Sequence, residues 1–121
     1  QHQDLYELTG SSHAAMVFDA DLNPLAWAED VGRHNALDKA IGKSFLKGQL
    51  ERIRIGAMSS RLSFELVQKA ARAGLEIMVS MSRPTALAVE LAQSLNMTLA
   101  CLGKKKGFMI FCGKERFSLP T

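Results

Sequence analysis

Between Ala28 and Gly42 the chain reads AEDVGRHNALDKAIG. Glu29, Asp30, Arg33, His34 and Asn35 crowd the mouth of a helix-like run. Capping a helix needs one or two short polar side chains. The surplus is a donor–acceptor set of the kind that holds a polar ligand. His34 falls on the stripe of Leu37 and Ile41 and points inward. It reads either as a core histidine satisfied by Asp30 or Asp38, each four residues away, or as a ligand contact. Glu29 and Asp30 equally suit the helix start and its dipole.

A second cluster, SSRLS from Ser59 to Ser63, places three serines and Arg61 at another helix start. Free N–H groups, hydroxyls and a guanidinium make an anion site, while ordinary capping accounts for one of the serines. SMSRPT, from Ser80 to Thr85, repeats the pattern. Lys104, Lys105 and Lys106 form a basic run between Gly103 and Gly107. That run is either a solvated hairpin tip or a set of phosphate contacts. There is no P-loop, no G-x-G-x-x-G and no nucleophile elbow. A zinc deaminase needs H-x-E at one helix start and P-C-x-x-C at the next. Here His34 lacks the glutamate and SSRLS lacks cysteine, so no metal site is expected. Cys101 and Cys112 sit in apolar runs and read as core thiols.

The elements that position these residues follow from periodicity. DLYELTGSS reads as a helix end stopped by Gly10. HAAMVFDA and PLAWA flank the turn DLNP as a hairpin. Leu37, Ile41 and Phe45 mark one face of the helix RHNALDKAIGKSFL. RIRIGAMS (Arg52–Ser59) alternates as a strand. SRLSFELVQKAARAG is a helix with Ser59 or Ser60 as N-cap and Gly74 as terminator. LEIMVSMS suits a strand buried on both faces. PTALAVELAQSLN opens with Pro84 in its first turn and ends at Asn96. MTLACLG and FMIFCG close the chain as two strands. The order β-β-α-β-α-β-α-β-β predicts a three-layer α/β domain with a mixed, mainly parallel sheet and helices on both faces. Ligands in such folds bind beyond the carboxyl ends of the strands, where all three helix starts and the lysine loop fall.

Composition bounds the rest. At 121 residues one domain, 1–121, is expected. The net charge of +3 suits a phosphate-bearing ligand but is too weak to argue for nucleic acid. Two cysteines point to no disulfide scaffold, hence a reducing compartment, the cytoplasm. Neither a membrane span nor a signal peptide is expected. The chain opens on Gln1 rather than Met and reads as a piece of a longer protein.

TGSSHAA, EDVGRHNALDKAIG, SSRLSFELVQKAARAG and PTALAVELAQSLNMTL, in this order and spacing, resemble the FdhD family from Leu5 onward. These are the sulfur-carrier accessory proteins of formate dehydrogenase. The resemblance implies a cytidine-deaminase-like fold without zinc. It implies a sulfurtransferase that takes persulfide sulfur from a cysteine desulfurase. The sulfur goes to the molybdenum or tungsten bis-molybdopterin guanine dinucleotide cofactor, the cargo destined for formate dehydrogenase. The persulfide cysteine belongs to a C-x-x-C loop upstream of the TGSSHAA segment. That loop is absent from these residues, so the chain is expected to supply the cofactor-binding part and no catalytic residue. The family holds guanine and phosphates with an F-x-R-x-x-R loop matching Leu102–Gly107. Leu102 stands for the aromatic, Lys104 for the first arginine and Gly107 for the second, with Lys105 or Lys106 supplying charge. A basic residue common in the family is replaced by Met81, with Arg83 compensating. The implied cofactor site is therefore Leu102, Gly103, Lys104, Lys105, Lys106, Gly107, His34, Asn35, Ser60 and Arg61. Asp30 joins Asn35 and His34 as a partner for pterin edges. A homodimer is implied, and guanine nucleotides would act as cofactor mimics. The alternatives are a hydrolytic deaminase or a zinc-free deaminase-like nucleotide-binding or interaction module.

Overall fold

The computed structural model describes residues 13–103 and 107–113. Its elements are β1 (His13–Phe18), β2 (Pro24–Asp30), α1 (Arg33–Leu46), a 3-10 turn (Leu50–Arg52), β3 (Ile55–Met58), α2 (Phe64–Arg72), β4 (Ile77–Ser80), α3 (Ala86–Ser94), β5 (Thr98–Gly103) and β6 (Gly107–Cys112). This is the order expected from periodicity. The helix end expected at DLYELTG and the run Lys104–Lys106 lie outside the described residues.

Local chemistry sets the boundaries. The cap of α2 is Ser63, whose Oγ accepts from Leu66 N–H at 3.3 Å, and not Ser59 or Ser60. Thr85 caps α3 by accepting from Ala88 N–H at 3.1 Å, which leaves Pro84 just outside the helix rather than in its first turn. Gly74 follows α2 with φ +95° and Asn96 follows α3 with φ +60°. These left-handed residues stop both helices, as glycine and asparagine do most cheaply.

The strands form one sheet in the order β2-β1-β3-β4-β5-β6. Only β3–β4 and β4–β5 are parallel; β2–β1, β1–β3 and β5–β6 are antiparallel. Parallel character is thus confined to the centre of a mixed sheet.

Among the described residues the three helices lie on one face of the sheet. Each crossover, β2 to β3, β3 to β4 and β4 to β5, advances in the same direction along the sheet. Crossovers that are all right-handed and all advance one way put every helix on one face. The contacts agree. Lys69 on α2 bonds Asp38 on α1 at 2.7 Å. Leu37 of α1, Leu66 and Val67 of α2 and Ala88 of α3 join Ala15, Val17, Met58, Met78 and Leu99 of the strands in one buried cluster. On the other face Met16, Phe18, Trp27, Ile55, Ala57, Ile77 and Val79 remain half-exposed. The apolar run of β4 therefore does not mean burial on both sides. The stripe expected on α1 is corrected. Ala36, Leu37, Ala40 and Ser44 are its buried residues, whereas Phe45 is 64% exposed. Cys101 is buried and Cys112 half-buried, with the Cys112 thiol 3.5 Å from Met97 O.

Strand β2 is an outer strand, and its free carbonyls are covered. Lys43 Nζ donates to Trp27 O at 2.9 Å and Lys47 Nζ to Leu25 O at 3.0 Å. Lys43 also lies 5.3 Å from the Trp27 ring centroid. Charged side chains over an edge discourage strand-to-strand association. The double variant K43A/K47A is expected to fold, with a loss of about 1–2 kcal/mol for two hydrogen bonds. It is also expected to self-associate more than the parent. Light scattering after size exclusion checks this; an unchanged mass at high concentration would contradict the edge role.

Candidate anion-binding site

The parallel register aligns Met58 with Ser80 and Ser80 with Cys101. The carboxyl ends of β3, β4 and β5 therefore share one edge. Strand β1 runs the other way, with Ala15 opposite Met58, so its first residue, His13, reaches the same edge. Asp30, at the end of β2, lies opposite His13. Helices α1, α2 and α3 all start here.

A cavity of about 350 Å³ opens at this edge. Its basic lining is His13, Arg33 and Arg61, and its hydroxyls come from Ser59, Ser60, Ser63, Ser82 and Thr85. Among the described residues no carboxylate lines it. Among the described residues the ion pairs are Lys39–Asp30, Arg52–Asp19, Arg54–Glu76 and Lys69–Asp38. Arg33 and Arg61 take part in none of them. Two guanidiniums without counter-ions, beside hydroxyls and helix N-termini, form a site for an anion.

The frame around the cavity is fixed. Ser59 Oγ accepts from Ala14 N–H at 2.9 Å, while Ser59 N–H donates to Ala14 O at 3.0 Å. This double bond of serine to β1 holds the Ser59–Ser63 loop beside His13. Thr85 N–H donates to Leu62 O at 3.0 Å, tying the start of α3 to that loop. Ser60 is 7% exposed, and its hydroxyl donates to Arg61 O at 3.4 Å.

In the stretch EDVGRHNALDK, Asp30 and Asn35 are satisfied locally, whereas Glu29 Oε2 is buried with no hydrogen-bond partner among the described residues. Asp30 Oδ1 accepts from Gly32 N–H at 2.9 Å and from Asn35 Nδ2 at 3.5 Å. Asp30 Oδ2 pairs with Lys39 at 2.6 Å. The Lys39 bond, then the Gly32 N–H, hold the Asp30 carboxyl down to about 2. Asp30 and Asn35 thus serve the start of α1. His34 is half-buried and bonds neither Asp30 nor Asp38, whose carboxylates go to Lys39 and Lys69. Of this stretch, Arg33 faces the cavity.

Of the residues expected from sequence, Ser60 and Arg61 meet in the cavity, and His34 and Asn35 are not among its lining. Leu102 and Gly103 end β5 and Gly107 begins β6, with Gly103 opposite Gly107; Leu102 is 43% exposed. This hairpin turns at the same edge. Lys104, Lys105 and Lys106 lie outside the described residues. Met81 is 58% exposed, and Arg83 stacks 5.6 Å from the Phe111 ring centroid rather than lining the cavity. Ser82 and Thr85 belong to the SMSRPT junction flagged from sequence, whereas His13 was not singled out; its only signal is position at the edge, which requires the strand directions. A second cavity of about 350 Å³ beside β2 is lined by Lys43 and Lys47, but both ammoniums are bonded to carbonyls there. Among the described residues no group of three or more His, Cys, Asp or Glu comes together, and no helix is long and apolar enough to cross a membrane.

Fold and site together define a mixed α/β domain with an anion-binding crevice at its strand ends. Comparison with known proteins narrows the class. The family model of the FdhD/NarQ family matches residues 1–118, and the chain belongs to that family. It is 42% identical over 117 residues to the sulfur carrier protein FdhD of Thermoplasma volcanium, covering 97% of this chain and 42% of that protein. The sulfur carrier protein FdhD of Bordetella parapertussis is 42% identical over 116 residues, 96% of this chain and 42% of that one. A crystal structure described as a formate dehydrogenase accessory protein from Desulfotalea psychrophila superposes with a TM-score of 0.79 at 30% identity. That match covers 93% of this chain and 50% of that one. The chain therefore spans less than half the length of these curated relatives.

The Asp30 carboxyl predicts a pH signature. Its folded value of about 2 lies below the ordinary 3.8, so its contribution is present above the ordinary value and is lost as pH falls toward 2. Thermal melts of the parent should lose stability across this acid window. D30N should lack that segment of the profile while other carboxylates still titrate. Identical acid profiles would contradict the Asp30–Lys39–Gly32 tie.

Proposed function

We propose that this chain is the cofactor-holding part of a sulfur carrier serving formate dehydrogenase. In this reading the whole protein receives persulfide sulfur from a cysteine desulfurase. It passes the sulfur to the bis-molybdopterin guanine dinucleotide cofactor of molybdenum or tungsten. The cofactor is cargo, handed on to the dehydrogenase. Family membership supports the sulfur-carrier role, and one structural observation carries the binding role. Among the described residues, the crevice gathers two guanidiniums outside the ion pairs and a set of hydroxyls with no carboxylate, which suits pyrophosphate.

The residues act by position and charge. Arg33 and Arg61 approach the crevice from two different helix starts and can grip one diphosphate from two sides, each through a fork of N–H donors. Ser59 and Ser63 are fixed by backbone partners, so their loop is ordered before ligand arrives. Phosphate oxygens would replace water on groups already in place, which limits the ordering cost of binding. Lys104–Lys106, which follow β5 in sequence, would add positive charge. The cytidine-deaminase-like reading of the fold is supported by the first strand running antiparallel beside a parallel centre and by a crevice between helix starts. Serines stand at Ser59, Ser60 and Ser63, where a deaminase would need thiolates. A homodimer working in the cytoplasm completes the reading.

Calorimetric titration with GDP, a mimic of half the cofactor's nucleotide part, tests it. GDP is expected to bind more tightly than ADP. R33A and R61A should each lose about 1.5–3 kcal/mol, the value of a charge-assisted hydrogen bond, at unchanged melting temperature. No detectable GDP binding at millimolar ligand would contradict the site, and equal affinity for ADP would remove guanine recognition from it.

A further inference from the structure

The crevice holds one side chain that its arginines and hydroxyls cannot substitute. His13 is half-buried at the first position of β1 and lines the cavity with Arg33 and Arg61. Among the described lining residues it is the only imidazole, the side-chain class suited to exchanging a proton in the range around neutral pH. Guanidiniums stay charged throughout that range and hydroxyls stay neutral. His13 forms no hydrogen bond or ion pair with the described residues, so its ring is available to a ligand.

We propose that His13 is a proton-linked ligand of the bound phosphate: a dianionic phosphate entering the crevice draws a proton from solvent onto the imidazole, which then donates to it. This rests on the crevice being the phosphate site argued above and names what regulates its affinity. No covalent bond forms or breaks; the proton comes from solvent or buffer and returns there when the ligand leaves.

The charged groups around His13 set the sign. On β2, Asp30 lies opposite in register, but its carboxylate is turned to Lys39, Gly32 N–H and Asn35. Glu29 lies opposite Ala14, one position away from His13. Arg33 comes from α1 and Arg61 from the loop after β3, where Ser59, Ser60 and Ser63 are not titratable in this range. A dianion bound among Arg33, Arg61 and His13 favours a positive charge on the imidazole. Ligand binding and protonation of His13 are therefore mutually favourable, and by linkage each strengthens the other equally.

The consequence is a site that tightens in mildly acid conditions and loosens in alkaline ones. Phosphate ligands titrate in the same range but in the opposite sense, since they gain negative charge as pH rises. A variant without the imidazole isolates the protein's share.

The experiment is calorimetric titration of GDP into the 121-residue chain and into H13Q at pH 6, 7 and 8, with melting temperatures recorded for both. Inorganic sulfate, dianionic at every one of these pH values, serves as a second probe by competition. The parent is expected to lose affinity for both probes as pH rises, by up to about tenfold per unit once the imidazole is mainly neutral. It should also take up a proton on binding, seen as a heat that depends on the buffer's ionisation enthalpy. H13Q is expected to bind GDP at pH 8 within about twofold of the parent, to lose the sulfate slope and to show no such uptake. If H13Q does not fold, H13N replaces it. A sulfate slope and proton uptake unchanged in the variant would overturn the role of His13 while leaving the phosphate site standing. No binding of either probe at any pH would overturn the phosphate site itself, and this inference with it.

Discussion

Direction and handedness together constrain this molecule more than any single contact. Strands β2, β3, β4 and β5 run the same way, and each of the three crossovers between them advances along the sheet. Right-handed crossovers then leave no choice of face. All three helices must pack on one side, and all three must start at the carboxyl edge. A helix start carries unsatisfied N–H groups and the positive end of a dipole. Three of them converging on one edge make a place where an anion is welcome before any side chain is chosen. The buried cluster under the helices, with Leu37, Leu66, Met78 and Leu99 fully enclosed, holds the helices at the angles that keep those starts together.

On that frame the side chains divide into those that satisfy the protein and those left for a ligand. Asp30 answers its own loop through Gly32, Asn35 and Lys39. Ser63 and Thr85 cap, while Ser59 clamps the loop to β1. Lys43 and Lys47 close the free edge of β2. What remains unpaired at the crevice is cationic: Arg33 and Arg61, with His13 beside them. Both guanidiniums are exposed to solvent and so accessible to the diphosphate that the proposed function requires. In that proposal, the anion is the diphosphate of a guanine dinucleotide cofactor.

Much of the frame was legible in the sequence, because its signals are local. The span Arg33–Leu46 reads directly as a helix, Gly74 and Asn96 stop helices as their left-handed backbones require, and the convergence of helix starts follows from element order alone. Ser60 and Arg61 were found because a helix start with surplus polar groups is a local signal. What was not legible depends on strand direction and order. His13 belongs to the crevice only because β1 is antiparallel to β3. Ile77 and Val79 are half-exposed on the second face of β4, which a run of apolar letters cannot distinguish from buried ones. Phe45 keeps the spacing of Leu37 and Ile41, yet the buried stripe of α1 runs through Ala36, Ala40 and Ser44 instead. Asp30 and Asn35 looked available to a ligand because the bonds of Asp30 to Asn35 and Lys39 span five and nine residues and close only in three dimensions.

The most direct test of the account is a map of where a guanine diphosphate touches the chain, made by following backbone amide chemical shifts during titration with GDP. The account predicts that the perturbed amides gather at the starts of α1, α2 and α3, at residues 32–35, 59–64 and 82–87, together with His13 and Ala14 on β1. Perturbations gathered instead around Trp27, Lys43 and Lys47, or around Gly74 and Asn96 at the opposite edge, with the helix starts silent, would contradict it.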